Sequence, residues 1–171
     1  RTRTPAAVLF IDDDRWYDRE VAYMEALRAA GIAFDRWSTQ WMAPITPLTP
    51  QPRPSPEFLS RYRAVAWYTG YDWFAPISAD ETVTMTRYLQ GGGRLLFSSM
   101  SALYELDVSA FSQNYLGVAA IQWNDAITSL AAEPGNPVTG RAFSTASLLP
   151  WPSGYNWNLT SSVTPIGPAR V

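Results

Sequence analysis

The chain has 171 residues, a formal net charge of −2, and neither histidine, cysteine nor lysine, since all 13 basic residues are arginine. These absences exclude a cysteine nucleophile, a Ser–His–Asp triad, a lysine Schiff base and a zinc site with histidine or cysteine ligands. The charge argues against a nucleic-acid partner, which requires a basic surface, and no apolar run approaches the roughly 20 residues that cross a bilayer, so we expect no membrane insertion.

The length favours a single domain. We place its core at residues 6–123 and treat residues 124–171, which are rich in Pro, Gly, Ser and Thr, as an extension of short strands and loops. The chain begins with Arg1 instead of Met, which predicts that it is a segment of a longer protein.

The first third of the chain has the pattern of a strand, a helix and a second strand. Ala6–Ile11 is a continuous apolar run, typical of a strand buried on both faces of a parallel sheet. Tyr17–Ala30 has a helical period, and Ile32–Trp37 is the second predicted strand. The apolar stripe of this helix comprises Tyr17, Val21, Met24 and Leu27, and its charged residues Arg19, Glu20, Glu25 and Arg28 lie off that stripe.

The same alternation continues to residue 123. Ser55-Pro56 predicts the start of a short helix that ends at Tyr62, and Ser78 with Glu81 predicts a capping box for a helix that ends at Gln90. The other predicted elements are strands at Ala64–Tyr68, Arg94–Ser98, Val118–Trp123 and 126–132, and helices at Ser101–Leu106 and Ser109–Leu116. We therefore predict an α/β fold, a doubly wound and mainly parallel flavodoxin-like sheet flanked by helices, with an irregular C-terminal portion.

A proline-rich segment interrupts this pattern at Met42–Pro56, where six of the fifteen residues are proline. Such a density excludes a helix or a central strand. The segment fits a surface loop, or a polyproline II ligand for a partner domain.

Several phrases resemble the class I glutamine amidotransferase-like fold, in the divergent form found within large secreted or surface bacterial proteins. They are VLFIDDD at 8–14, AFDRW at 33–37, AVAWYTG at 64–70, RYLQGGGRLLFSS at 87–99 and GNPVTGRAFS at 135–144. The resemblance implies an extracellular or cell-surface location, with the other domains of a parent protein as partners. In active members, the strand after the glycine-rich turn leads into a cysteine nucleophile. Ser99 or Met100 holds that position here, and no histidine follows, so the resemblance implies the scaffold without glutamine hydrolysis.

The aspartates at 12–14 are the strongest candidates for a binding site, because ligands of open parallel sheets bind beyond the carboxyl ends of the strands. Three adjacent carboxylates repel one another, and Mg²⁺ or Ca²⁺ would relieve that repulsion. In the structural alternative, one aspartate caps the first helix while the others face water or pair with Arg15. The candidate metal ligands are Asp12, Asp13 and Asp14, and the chain otherwise carries no sign of a cofactor.

The ends of the third and fourth strands should lie beside these aspartates. An aromatic loop with one carboxylate could hold a glycan or another small polar ligand, whereas the hydroxyls after the fourth strand fit either a nucleophile or a tight turn. Trp123, Trp151, Tyr155 and Trp157 are further aromatic candidates. The complete set of candidate ligand-binding residues is Asp12, Asp13, Asp14, Thr69, Gly70, Tyr71, Asp72, Trp73, Ser98, Ser99 and Met100.

Three functions fit these residues. The first is a catalytically inactive amidotransferase-like domain that serves a larger extracellular protein as a binding or structural module. The second is a carbohydrate-binding domain that uses the aromatic cleft at the strand ends. The third is a hydrolase that depends on a divalent metal held by the aspartates at 12–14.

Overall fold

A computed structural model describes residues 5–14, 20–39, 52–70, 72, 75–123, 129–130, 143–144 and 161–166. The chain forms two compact units, Arg1–Leu106 and Asp107–Val171. Within the described residues, no helix combines the length and the apolar character needed to cross a membrane. The candidate ligand-binding residues between Asp12 and Met100 belong to the first unit, whereas the further aromatic candidates at 123, 151, 155 and 157 belong to the second.

The first unit is built on a four-stranded parallel sheet with the order β2-β1-β3-β4. Its strands are β1 (Val8–Asp12), β2 (Phe34–Ser38), β3 (Ala64–Gly70) and β4 (Arg94–Ser99). Leu9, Phe10 and Ile11 are fully buried, as expected for an apolar run in a central strand. The predicted α/β class and the mainly parallel sheet are thereby confirmed, and the carboxyl ends of all four strands lie at one edge.

Four helices connect or follow these strands: α1 (Val21–Ala29), α2 (Pro56–Leu59), α3 (Ala79–Gln90) and α4 (Ala102–Leu106). The capping box of α3 forms as predicted, because the Ser78 hydroxyl accepts the Glu81 N–H and the Glu81 carboxylate accepts the Ser78 N–H. Ser55 likewise caps α2 by accepting the N–H of Phe58. These local signals fix where both helices begin.

Helix α1 packs on one face of the sheet. Met24 joins Phe10, Ala66 and Tyr68 in a buried cluster, and the rings of Tyr23 and Tyr68 lie 4.5 Å apart. The predicted stripe is wrong at Val21, which is 44% exposed, whereas Glu20 is buried. The reason is that Glu20 binds an arginine of the sheet, which turns Val21 toward solvent; Tyr17 lies outside the described residues.

The opposite face carries the alternate residues Leu9, Ile11, Val65 and Trp67, all of them buried. Helices α2 and α3 contact each other, and α3 contacts β4. The Tyr88 hydroxyl of α3 donates a hydrogen bond to the carbonyl of Tyr62 over 3.2 Å. A Cβ at Gly93 would fall onto the Tyr88 ring, so this turn requires glycine.

The second unit contains one described helix and four short strands. These are α5 (Ala110–Tyr115), β5 (Val118–Gln122), β6 (Ser129–Leu130), β7 (Phe143–Ser144) and β8 (Ser162–Pro165). Strand β5 pairs antiparallel with β8, and β6 pairs antiparallel with β7. The predicted helix and strand at 109–123 are confirmed, and a short strand lies within the predicted 126–132.

Candidate functional site

The three adjacent aspartates face opposite sides of the sheet. Side chains alternate along a strand, so Asp12 lies on the α1 side beside Tyr68, its partner in register on β3. Asp14 returns to the same side, and both carboxylates are fully buried. Asp13 points the other way and contacts Trp67. The structure thus brings together two of the three predicted metal ligands and separates the third.

Glu20 completes a group of three carboxylates on the α1 side. It occupies the residue just before α1, and one oxygen from each of Asp12, Asp14 and Glu20 lies within 4.8 Å of the other two. We call these three residues the acidic cluster. Asp12 ends β1, Asp14 follows that strand and Glu20 precedes α1, so the acidic cluster lies at the carboxyl edge of the sheet.

Arg36 of β2 binds two members of the acidic cluster. Its Nη2 lies 2.5 Å from Asp12 Oδ2 and 2.8 Å from Glu20 Oε1, and its Nε lies 3.2 Å from the same Asp12 oxygen. Arg36 pairs in register with Phe10, two residues before Asp12, so its side chain emerges on the α1 side. Arg15, the partner expected from sequence, lies outside the described residues.

Burial and charge both shift the ionisation of this group. Burial raises the pKa of Asp12 to about 7; the hydrogen bond from Arg36 opposes that shift, and the charges of Asp14 and Glu20 add to it. Burial disfavours the charged Arg36 guanidinium, but its bond and charge interaction with Asp12 outweigh this and raise its pKa. The Arg36 guanidinium therefore interacts with all three carboxylates of the acidic cluster, which are buried.

The Tyr68 hydroxyl points toward the acidic cluster. Burial, followed by the charges of Asp14, Tyr23, Glu20 and Asp12, raises the pKa of Tyr68 well above its ordinary value. Gly70, with φ of +54°, makes this approach possible. A Cβ at Gly70 would lie 2.6 Å from the Tyr68 hydroxyl and 3.0 Å from the Asp14 Cβ. A side chain at residue 70 would therefore displace one of the two.

Asp13 is held on the opposite face by uncharged donors. Its carboxylate accepts hydrogen bonds from the Trp67 indole N–H over 3.0 Å and from the Thr39 hydroxyl. Burial raises the pKa of Asp13 to about 7, and the charge of Glu81 adds to this, whereas the two hydrogen bonds oppose it. Arg53 binds Glu81 over 2.7 Å. Through Trp67 and Thr39, Asp13 links the end of β1 to β3 and to the residue that follows β2.

The two serines at the end of β4 make structural hydrogen bonds. Ser99 Oγ accepts from the Thr69 hydroxyl over 2.6 Å and from the Ala102 N–H, at the start of α4, over 2.9 Å. Ser98 Oγ lies 2.6 Å from the Tyr23 hydroxyl. In the described part of the chain, Ser99 contacts a threonine and a backbone amide, and Ser98 contacts a tyrosine. None of these groups is a general base that could take the serine proton near neutral pH.

Met100 and Asp72 lie at the same edge of the sheet. The Met100 N–H donates to the Gly70 carbonyl over 3.0 Å, and its side chain is 38% exposed. Asp72 is buried, and its N–H donates to the Thr69 carbonyl. Tyr71 and Trp73 lie outside the described residues, as do Trp151, Tyr155 and Trp157. The glycan-binding cleft therefore stays a prediction from the sequence.

Sequence reasoning missed two residues of this site, Glu20 and Arg36. Arg36 carried a usable signal, since a charged residue inside a predicted strand must either face water or find a partner on its own face of the sheet. The signal for Glu20 was weaker, because an acidic residue near the start of a helix is common there for its interaction with the helix dipole alone.

No protein-family model matches the chain, and neither a curated protein nor a solved structure matches it significantly.

Proposed function

We propose that this chain is a non-catalytic, amidotransferase-like module that serves a larger extracellular protein as a binding or structural domain. The strand order β2-β1-β3-β4 supports the flavodoxin-like part of this proposal, because that architecture has the order 2-1-3-4-5.

The observation that carries the proposal is the use of the Ser99 hydroxyl. Ser99 holds the position that the resemblance gives to the nucleophile, and its oxygen is engaged by the Ala102 amide and the Thr69 hydroxyl. An attacking serine needs a base to take its proton, and the described residues that contact Ser99, Thr69 and Ala102, both donate to it. The chain also has no histidine or cysteine to provide one. Ser99 therefore stabilises the turn between β4 and α4.

Substitution of Ser99 tests this role. For Ser99→Ala we expect a loss of about 1 kcal/mol in the free energy of unfolding, because the first turn of α4 loses a hydrogen-bond acceptor. Wild type and variant should both fail to hydrolyse glutamine and fail to react with a fluorophosphonate probe. Ser101→Ala is a control for labelling at a neighbouring serine. Labelling at Ser99, or glutamine hydrolysis that disappears in Ser99→Ala, would refute the proposal.

A further inference from the structure

The two outer strands of the parallel sheet differ in the residues they present. Among the described residues, β2 and β4 are the outer strands, and each pairs with one neighbour. The middle of β2 carries the charged residues Asp35 and Arg36, and charges in an outer strand disfavour pairing with a further strand. The middle of β4 is Leu95-Leu96-Phe97, which has neither a charge nor a proline. Strand β4 therefore lacks the protection that β2 has.

Leu96 is 61% exposed although it lies in the middle of β4. It pairs in register with Ala66, the register partner of Phe10, so its side chain lies on the α1 side of the sheet. Helix α1 reaches β4 at Ser98, whose Oγ lies 2.6 Å from the Tyr23 hydroxyl, and Leu96 stays open to solvent. Parallel sheets are normally covered on both faces. An exposed leucine in this strand therefore indicates that β4 has a further neighbour.

The sequence of β4 is complementary to itself when two copies run antiparallel. If Leu96 faces Leu96 of the partner subunit, Leu95 lies opposite Phe97 and Arg94 lies opposite Ser98. The apolar residues then meet one another, and the two arginines lie about 13 Å apart along the strands, which avoids like charges in opposite positions. A shift of two residues would instead place Leu96 opposite Ser98 or Arg94. The charge and the apolar residues of β4 thus favour one register.

We propose that β4 is a dimerisation edge, at which it pairs antiparallel with β4 of a second copy and joins two four-stranded sheets into one sheet of eight strands. Leu96 packs against Leu96 of the partner subunit at the two-fold axis. Two six-residue strands bury less than the roughly 1,200 Å² of stable complexes, so we expect a dissociation constant of about 10–100 μM. This proposal goes beyond the non-catalytic module, because the pairing does not use the Ser99 hydroxyl.

Sedimentation velocity of the whole chain at about 5–300 μM measures this association, and the wild type should pass from monomer to dimer over that range. Leu96→Glu places two carboxylates opposite each other, so it should weaken the dimer at least tenfold. Its melting temperature should stay within about 2 °C of the wild type, because Leu96 is already exposed. Ile32→Glu is the matched control: Ile32 is 40% exposed, lies just before β2, and should leave the dimer unchanged.

Two further variants test the register. An equimolar mixture of Leu96→Glu and Leu96→Arg should recover the dimer, because opposite charges then face each other. Leu96→Cys introduces a single thiol into a chain without cysteine. Side chains in opposite positions have Cβ atoms about 4.5–5.5 Å apart, close to the distance that a disulfide spans. Oxidised glutathione should therefore link Leu96→Cys into a dimer at least ten times faster than Ile32→Cys.

Three results would overturn the proposed dimer. The first is a wild type that stays monomeric up to about 300 μM, which would assign the edge of β4 to a strand of another protein. The second is a dimer that Leu96→Glu leaves unchanged, and the third is equal cross-linking of Leu96→Cys and Ile32→Cys. Each of these results leaves the glutaminase and probe assays of Ser99 unaffected, so failure of one proposal is distinguishable from failure of the other.

Discussion

Replacement of Arg36 by methionine should strongly destabilise the first unit. The variant retains the aliphatic part of the side chain and removes the guanidinium, which lies 2.5 Å from Asp12 and 2.8 Å from Glu20. The carboxyl side chains of Asp12 and Glu20 are 0% and 3% exposed, so both would remain buried beside Asp14 after losing the Arg36 guanidinium.

The magnitude follows from the burial of these groups. Removal of one partner from a buried ion pair costs about 3–5 kcal/mol. Two factors reduce this figure: the Arg36 side chain is 29% exposed, and Asp12, whose pKa is about 7, can take up a proton when its partner is lost. We therefore expect Arg36→Met to lower the free energy of unfolding by about 2–4 kcal/mol at pH 7.

The pH dependence of this loss identifies its cause. Without Arg36 the pKa of Asp12 rises further, so the Asp12 carboxyl of the variant stays protonated at pH values where that of the wild type ionises. The difference in stability between the two proteins should thus grow by about 1 kcal/mol between pH 6 and pH 8.

Urea unfolding, followed by tryptophan fluorescence, measures both quantities, since Trp67 is buried in the sheet. Arg63→Met, at an exposed arginine, should change stability by less than about 0.5 kcal/mol. A loss below about 1 kcal/mol in Arg36→Met, or a loss independent of pH, would show that the ion pairs do not hold this edge together.

Three further predictions concern the opposite face and α3. Gly93→Ala should cost about 1–3 kcal/mol in a urea melt, because its Cβ would overlap the Tyr88 ring, whereas Gly91→Ala, with an ordinary 3.4 Å contact, should be within about 0.5 kcal/mol of wild type. Ser78→Ala should lower the stability by about 1 kcal/mol through loss of the α3 cap, and an unchanged melting temperature would contradict this. Asp13 has a pKa of about 7 in the folded state against 3.8 normally. Its contribution to the free energy of unfolding is therefore fully present below about pH 4 and is lost as the pH rises to 7. Asp13→Asn should therefore reduce the slope of the free energy of unfolding against pH over that range. An unchanged slope would contradict the raised pKa of Asp13.

The elements of the first unit could be predicted because their signals are local. The apolar run at 6–11 can only be a buried strand or helix, and the flanking aspartates and its short length favour a strand. The Ser78–Glu81 pair locates the start of α3 to within one residue of the observed helix. Alternation along β1 also predicts that Asp13 faces away from Asp12.

The composition of the acidic cluster could not be predicted in the same way. Arg36 reaches Asp12 because Arg36 pairs with Phe10, and that register depends on how β2 docks against β1. Its place inside a predicted strand indicates that Arg36 needs water or a partner on its own face of the sheet, but the sequence does not show that the partner is Asp12. The burial of Glu20 in place of Val21 has the same origin, since a helical period of 3.6 leaves neighbouring stripes almost equivalent until a tertiary contact chooses between them.

The opposite orientations of Asp12 and Asp13 have a consequence for the alignment of the central strand. Sliding β1 by one residue would move Asp13 to the guanidinium side and Asp12 to the indole side, and would also turn Phe10 and Ile11 over. Each carboxylate would then meet hydrogen-bond donors placed for the other. A shifted register of β1 is thus destabilised both by misplaced apolar side chains and by misplaced charged groups. The two effects together favour a single register of this strand during folding.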